Sequence, residues 1–308
     1  MKVYDVAISR RHFLKAMCGF SALMAFRPHA LFAARASLIR RAIPSSGEPL
    51  SVIGMGTSRT FGYDVSKQEL GEVMQAFFDH GGQLIDSSPM YGPAESLVGD
   101  LLKTTKNTEG LFVATKVWTS GKESGIEQMQ QSMRRIGVQV IDLMQIHNLY
   151  DWRVHIHTLR EWKEQGKIRY LGITTSHGRQ HEEFEKIMKE ERLDFVQFSY
   201  NLGNRVAEER LLPIAADKGI ATLINRPFQR GGLFRAVKGQ TLPAWAAELD
   251  CNSWAQFFLK FIVSHPNVTN VIPATSKVKH MIDNMGAGYG RLPDARTRQR
   301  MIRYFESL

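Results

Sequence analysis

From about residue 50 onward the chain alternates short apolar runs with helical patterns, eight times over. The runs lie at residues 51–56, 84–85, 111–115, 140–146, 170–174, 195–198, 221–224 and 268–272. Short apolar runs bounded by turn residues read as strands buried on both faces. Strands that alternate with helices imply crossover connections and a parallel sheet. The first intervening helix opens on Ser66-Lys67-Gln68-Glu69, which reads as a capping box. Leu70, Val73, Met74, Phe77 and Phe78 then fall on one face, and Gly81-Gly82 closes the helix. Ile126, Met129, Met133 and Ile136 mark a second stripe of the same period.

Such a sheet either stays open or closes on itself. An open, doubly wound sheet usually announces itself by a G-x-G-x-x-G turn after its first strand. Here Gly54-Met55-Gly56 runs into Thr57-Ser58 without the third glycine. Eight strands in roughly 270 residues match a closed barrel of about 250. The expected fold is therefore a (β/α)8 TIM barrel over residues 37–308, with a short N-terminal hairpin entered from the 28–49 stretch. No internal repeat, low-complexity segment or linker divides it. Hydrophobic residues at 43% and charged residues at 23% leave ample material for a core.

The net charge is +10, and residues 1–36 supply half of it: Lys2, Arg10, Arg11, Lys15, Arg27 and Arg35 stand against Asp5 alone. The rest is mild, so no nucleic-acid partner is expected. Within that leader, Ser9-Arg10-Arg11-His12-Phe13-Leu14-Lys15 precedes an apolar run from Ala16 to Phe26, and Ala34-Arg35-Ala36 follows. A basic start, a short apolar middle and an A-x-A end are the parts of an export signal. The adjacent arginines resemble the twin-arginine (Tat) type, which implies the Tat export machinery as a partner and a periplasmic location for a folded cargo. An ordinary basic start of a general secretory signal, or an amphipathic N-terminal helix, is the alternative. The apolar run falls short of the roughly 20 residues a membrane span needs, so no stable membrane anchor is expected. Of the two cysteines, Cys18 lies in the leader and Cys251 beyond it, so loss of the leader rules out an internal disulfide.

Ionisable side chains stand at the ends of three consecutive predicted strands. Asp86 ends the second, with Tyr91 in the turn after it; Lys116 ends the third and His147 the fourth. The carboxyl ends of barrel strands open on one face, where active sites sit, so these four converge on one mouth. Taken singly, Asp86 or Lys116 fits a structural ion pair, Tyr91 a rim aromatic and His147 a hydrogen-bonded core histidine. Together, placed as they are, they read as a catalytic set. His155 with His157, or His177 with His181, has no third partner arranged with it, so no metal site is expected.

At these residues the chain resembles the aldo-keto reductases. The likeness runs from about Arg41 to Asn284, through Ile85-Asp86-Ser87-Ser88-Pro89-Met90-Tyr91-Gly92, the Lys116 strand, and Ile141-Asp142-Leu143-Met144-Gln145-Ile146-His147-Asn148. It implies reduction of a small aldehyde or ketone by hydride transfer from C4 of a reduced nicotinamide. Tyr91 would donate the proton, Lys116 would lower its pKa, Asp86 would hold Lys116, and His147 would orient the carbonyl oxygen. It further places the carboxamide against Thr174, Thr175 and Gln197, and cofactor phosphate against Thr275, Lys277 and Asn284. NADP(H) is favoured, with Lys277, Lys279 and His280 within its 2′-phosphate segment.

The chain departs from the family at several points. Thr174-Thr175 replaces the common Ser-Asn, Asn225 stands where an aromatic usually stacks on nicotinamide, and Ala274 and His280 replace a common lysine and arginine. Trp118, Tyr150 and Arg226 follow strand ends, where they either line the mouth or pack its loops. A nicotinamide-binding sensor subunit that keeps the pocket with little or no turnover is the alternative function.

Overall fold

The computed structural model describes residues 37–308 except Tyr63 and His177. Residues 1–36, where a twin-arginine leader is expected, lie outside the described residues, as does His177. Residues 37–308 form one compact unit. Two short strands, β1 (Arg40–Ala42) and β2 (Pro49–Ser51), pair antiparallel in the expected hairpin. The hairpin takes Ser51, which the sequence pattern assigns to the first barrel strand. The first barrel strand proper, β3, is Met55–Gly56, preceded by a single bridge at Ile53.

The other strands are β4 (Leu84–Asp86), β5 (Phe112–Val117), β6 (Ile141–Ile146), β7 (Ile168–Thr174), β8 (Phe195–Ser199), β9 (Ala221–Asn225) and β10 (Asn270–Val271). Each pairs in parallel with the next, from β3 through to β10. The ring is brought together by parallel bridges Ile53–Val271 and Gly56–Ala274, with Gly56 N donating to the Pro273 carbonyl at 3.1 Å. A Cβ on Gly56 would lie 2.9 Å from the Ile272 carbonyl oxygen, so this seam needs a glycine. The result is a (β/α)8 barrel.

The period of two along each strand sorts the interior into layers. Leu84, Phe112, Leu143, Phe195 and Leu223 point inward at the lower end and pack with Tyr170. Ile43 and Leu50 of the hairpin belong to the same cluster and plug the bottom of the barrel. Two residues further along their strands, the inward positions become Asp86, Gln145, Gln197 and Asn225, with Lys116 four residues beyond Phe112. The alternate residues, such as Ile85, Val113, Met144 and Val196, belong to a second core that also takes in the helices.

The helices form as their patterns dictate. In the helix Lys67–Asp79, Ser66 is the N-cap and accepts from Glu69 N at 3.1 Å. The Glu69 carboxylate accepts from the Ser66 hydroxyl and from Lys277 Nζ, leaving the capping box half made. Leu70, Val73, Met74, Phe77 and Phe78 are buried, and Gly81 takes the left-handed conformation (φ 76°) that ends the helix.

Candidate active site

The four strand-end residues meet at the carboxyl mouth. Lys116 is fully buried, and its ammonium donates to Asp86 Oδ2 and to the Ser87 carbonyl, each at 2.7 Å. Burial alone would drain the charge from this lysine. The Asp86 carboxylate and the Tyr91 phenol outweigh burial and hold its pKa above the ordinary value. The other Asp86 oxygen, Oδ1, accepts from the side-chain amides of Gln145 at 3.2 Å and Gln197 at 3.0 Å. The layer continues through Asn225, whose amide donates to Gln197 Oε1 at 3.4 Å and to the Thr175 carbonyl at 3.0 Å. Ser199 Oγ donates to Asn225 Oδ1 at 2.6 Å.

The Lys116 ammonium lies 5.2 Å from the centroid of the Tyr91 ring. Burial pushes the phenol up, and Lys116 with Ser58 pulls it back only in part, so its pKa ends above the ordinary value. The resemblance implies a lowered phenol. The difference comes from desolvation at the buried end of the ring, and it keeps Tyr91 protonated throughout the neutral range.

His147 stands edge-on to Tyr91, with ring centroids 5.9 Å apart. Burial, with Lys116 nearby, pulls its pKa down to about 3, so the imidazole is neutral. Ser88 Oγ lies 3.0 Å from His147 Nδ1 and accepts from Met90 N at 3.2 Å. The Ser88 hydroxyl keeps its own proton free to donate, and in the tautomer with Nδ1 as acceptor it gives that proton to Nδ1. In that tautomer the ring's own proton sits on Nε2, toward the reacting carbonyl.

These groups open into a cavity of about 1050 Å³. Asp86, Tyr91, His147, Thr174, Thr175 and Gln197 all line it, and so does Asn225. Thr174 Oγ1 also accepts from Asn148 N at 3.0 Å, which fixes the turn after β6. The second expected group lies apart from this lining. Thr275 is buried and its hydroxyl accepts from Lys277 N at 3.1 Å; the Lys277 side chain is exposed, with Glu69 at 3.4 Å; Asn284 is buried in the helix Val278–Gly286. Ile272 and Ala274, just before them, do line the cavity. Arg226 lines it too, while Trp118 is exposed and packs against His147 (6.4 Å) and Tyr150 (6.2 Å).

Sequence reasoning missed Gln145 and Ser88 as partners of Asp86 and His147. It also missed Arg59, Arg179 and Arg230, which share the lining with Arg226. Alternation along β6 places Gln145 inside the barrel, and Ser88 is two residues from Asp86, so both had a positional clue.

The sequence profile of the Aldo/keto reductase family matches residues 52–299. Aldo-keto reductase YhdN of Bacillus subtilis is 29% identical over 207 residues, 61% of this chain; the match spans 62% of that protein, less than two thirds of its length. Methylglyoxal reductase YeaE of Escherichia coli is 27% identical over 254 residues, 80% of this chain and 88% of that protein. Among solved structures, an aldo-keto reductase from Klebsiella pneumoniae in complex with NADPH superposes with a TM-score of 0.73 at 21% identity, covering 87% of this chain and 96% of that one. With a barrel of the same architecture and a profile match over most of its length, this chain belongs to the aldo/keto reductase family.

Proposed function

We propose that this protein reduces a small aldehyde or ketone to the alcohol, with NADPH as the reductant and Tyr91 as the proton donor. The observation that carries the reading is the buried chain from Asp86 through Lys116 to Tyr91, set beside a neutral His147 on the wall of a large cavity. Cavity and cofactor fit. About 1050 Å³ is at the upper end of small-molecule sites. Thr174, Thr175, Gln197 and Asn225 present hydroxyl and amide groups suited to a carboxamide, and Arg179 and Arg230 present cations suited to phosphate. Thr275, Lys277 and Asn284, beyond the Ile272 edge, are assigned to the distal phosphate on the family pattern.

When bound, the reduced nicotinamide supplies two electrons and a hydrogen nucleus to the carbonyl carbon. The chain's own residues handle the oxygen. His147 Nε2–H donates a hydrogen bond to it and, being neutral, takes no proton of its own into the reaction. Tyr91 passes its hydroxyl proton to the oxygen as negative charge grows there. Lys116 stabilises the phenolate left behind, and Asp86 holds Lys116 in place through the 2.7 Å pair. Solvent returns a proton to Tyr91 before the next turnover. We further propose that the 1–36 leader directs the folded protein through the twin-arginine route, on the strength of Arg10-Arg11 and the apolar run behind them.

Fluorescence titration of residues 37–308 with NADPH and NADH, followed by NADPH oxidation with an aldehyde panel, tests the reading. Micromolar NADPH binding with turnover abolished in Tyr91→Phe is the expected result. Binding without turnover on any carbonyl would assign the protein to the sensor class. Absence of nucleotide binding would overturn the site.

A further inference from the structure

Asp86 has two carboxylate oxygens, and the chain to Tyr91 uses one of them. Oδ2 takes the Lys116 ammonium at 2.7 Å. Oδ1 accepts instead from the side-chain amides of Gln145 at 3.2 Å and Gln197 at 3.0 Å. Gln197 lines the cavity, whereas Gln145 does not. Gln145 is fully buried in β6, where it pairs in register with Lys116 of β5. It meets neither cavity nor solvent, so it reaches the chemistry through Asp86.

The carboxylate fixes which way these amides face. It only accepts, so both glutamines turn Nε2 towards it and their oxygens face elsewhere. Gln197 gives its second hydrogen to Gln145 Oε1 at 3.4 Å, and its own Oε1 accepts from Asn225 Nδ2 at 3.4 Å. Gln145 therefore stands between two partners that agree on its orientation: Asp86 takes its NH2 and Gln197 its oxygen. Filling the barrel asks for no such polar head. A methionine has a similar shape and volume and brings no donor.

Two N–H groups on Oδ1 draw the negative charge of Asp86 towards that oxygen. What remains on Oδ2 holds the Lys116 ammonium in place and competes less for its proton and its field. The competition matters when Tyr91 gives up its proton, because the phenolate left behind leans on the same ammonium, 5.2 Å from the ring centroid. We infer that Gln145 is a positioning residue of the proton donor: by holding Oδ1 of Asp86 it leaves Lys116 free to stabilise the Tyr91 phenolate. The inference rests on the reductase reading and adds to it a residue that touches neither substrate nor cofactor.

Gln145→Met keeps the bulk and removes the donor. It should lower kcat about 5- to 30-fold, the weight of one hydrogen bond, while the carbonyl KM and the NADPH affinity stay as in the wild type. Gln145→Glu supplies the rescue. Beside Asp86 and out of water, the introduced carboxyl keeps its proton well above its ordinary pKa of about 4.3, and its hydroxyl donates to Oδ1 as the amide did. At about pH 6 its kcat should exceed that of Gln145→Met, then fall as rising pH ionises the new group. Neither the wild type nor Gln145→Met should show that limb. Wild-type kcat in Gln145→Met would overturn the inference, as would an equal loss of kcat and NADPH affinity, or a Gln145→Glu no faster at low pH than Gln145→Met. Should Gln145→Met fail to fold, the limb in Gln145→Glu carries the test, and its absence overturns the inference. Should the wild type turn over no carbonyl, the reductase reading fails by itself, and NMR of protein carrying isotope-labelled tyrosine still decides the role of Gln145. The Tyr91 signal is the one lost in Tyr91→Phe. On raising the pH it should ionise later in Gln145→Met than in the wild type, and a signal that ionises no later refutes the role.

Discussion

Replacing Asp86 by Asn removes one charge and changes almost no volume, and the layer around it cannot absorb the change. Asp86 Oδ2 takes the Lys116 ammonium and Oδ1 takes two amide NH2 groups, from Gln145 and Gln197. An asparagine offers one acceptor and one donor. With its oxygen toward Lys116, its NH2 faces two other NH2 groups; flipped, its NH2 faces the ammonium. Neither orientation satisfies both sides with the neighbouring amides as they stand, and the side chains of Lys116 and Asp86 are 0% and 3% exposed, so little water reaches them. Breaking a buried pair from one side costs about 3–5 kcal/mol, a large share of a total stability of about 5–15. At a urea slope of about 3 kcal/mol per M, the unfolding midpoint should fall by about 1 to 1.7 M.

The pH dependence gives this prediction a second edge. In the wild type Lys116 sits above its unfolded value, so the pair stabilises fully below about pH 10.4 and that stability is lost as pH rises through the folded pKa. In Asp86→Asn the carboxylate is gone and Tyr91 alone opposes burial, so the folded pKa falls and raising the pH relieves the penalty. The two stability curves should converge towards pH 10 and above. Asp86→Leu combined with Lys116→Met removes both charges and should recover at least half of the lost stability while remaining inactive. A single Asn variant within 1 kcal/mol of wild type at pH 7, or a deficit that grows with pH, would refute this account of the layer.

His147 is held neutral down to about pH 3, so the unfolded chain takes up a proton below pH 6.5 that the native fold refuses. Between pH 6 and 4 that group costs up to about 1.4 kcal/mol of stability per pH unit; His147→Asn should flatten the slope seen by urea unfolding, and an unchanged slope would count against the neutral ring. Ser88→Ala removes the partner of His147 Nδ1. It should lower kcat about 5- to 30-fold, the equivalent of about 1–2 kcal/mol, with the melting temperature nearly unchanged, whereas full activity would show that the tautomer is fixed otherwise. Lys260 is fully buried and caps the carbonyls of Leu249, Tyr289 and Arg291; Lys260→Met strands them and should cost at least about 2 kcal/mol by thermal unfolding, so a neutral result would mean that water takes over.

What the sequence could disclose followed the physics of each feature. Strand ends are legible because alternation is local: once Leu84 and Phe112 are taken as inward, Asp86 and Lys116 must share their face, and a parallel barrel brings all such ends to one mouth. The Ser66 cap and the buried stripe of the helix Lys67–Asp79 are local in the same sense. Gln145 is on the correct face by the same rule, yet nothing local distinguishes a glutamine that bonds Asp86 from one that merely fills the barrel. Pairing between distant elements is less visible still. Lys277 meets Glu69 across 208 residues of chain, a fact that belongs to the closed barrel and to no window of sequence. The sign of the Tyr91 shift is of this kind as well. Residue types alone favour a phenol lowered by its lysine, but the depth at which the hydroxyl sits decides the balance, and depth is set by the helices and loops packed around the mouth. A raised phenol beside a raised lysine is then a coherent state: each group is held in its protonated form, the form in which a proton donor has to wait for a carbonyl.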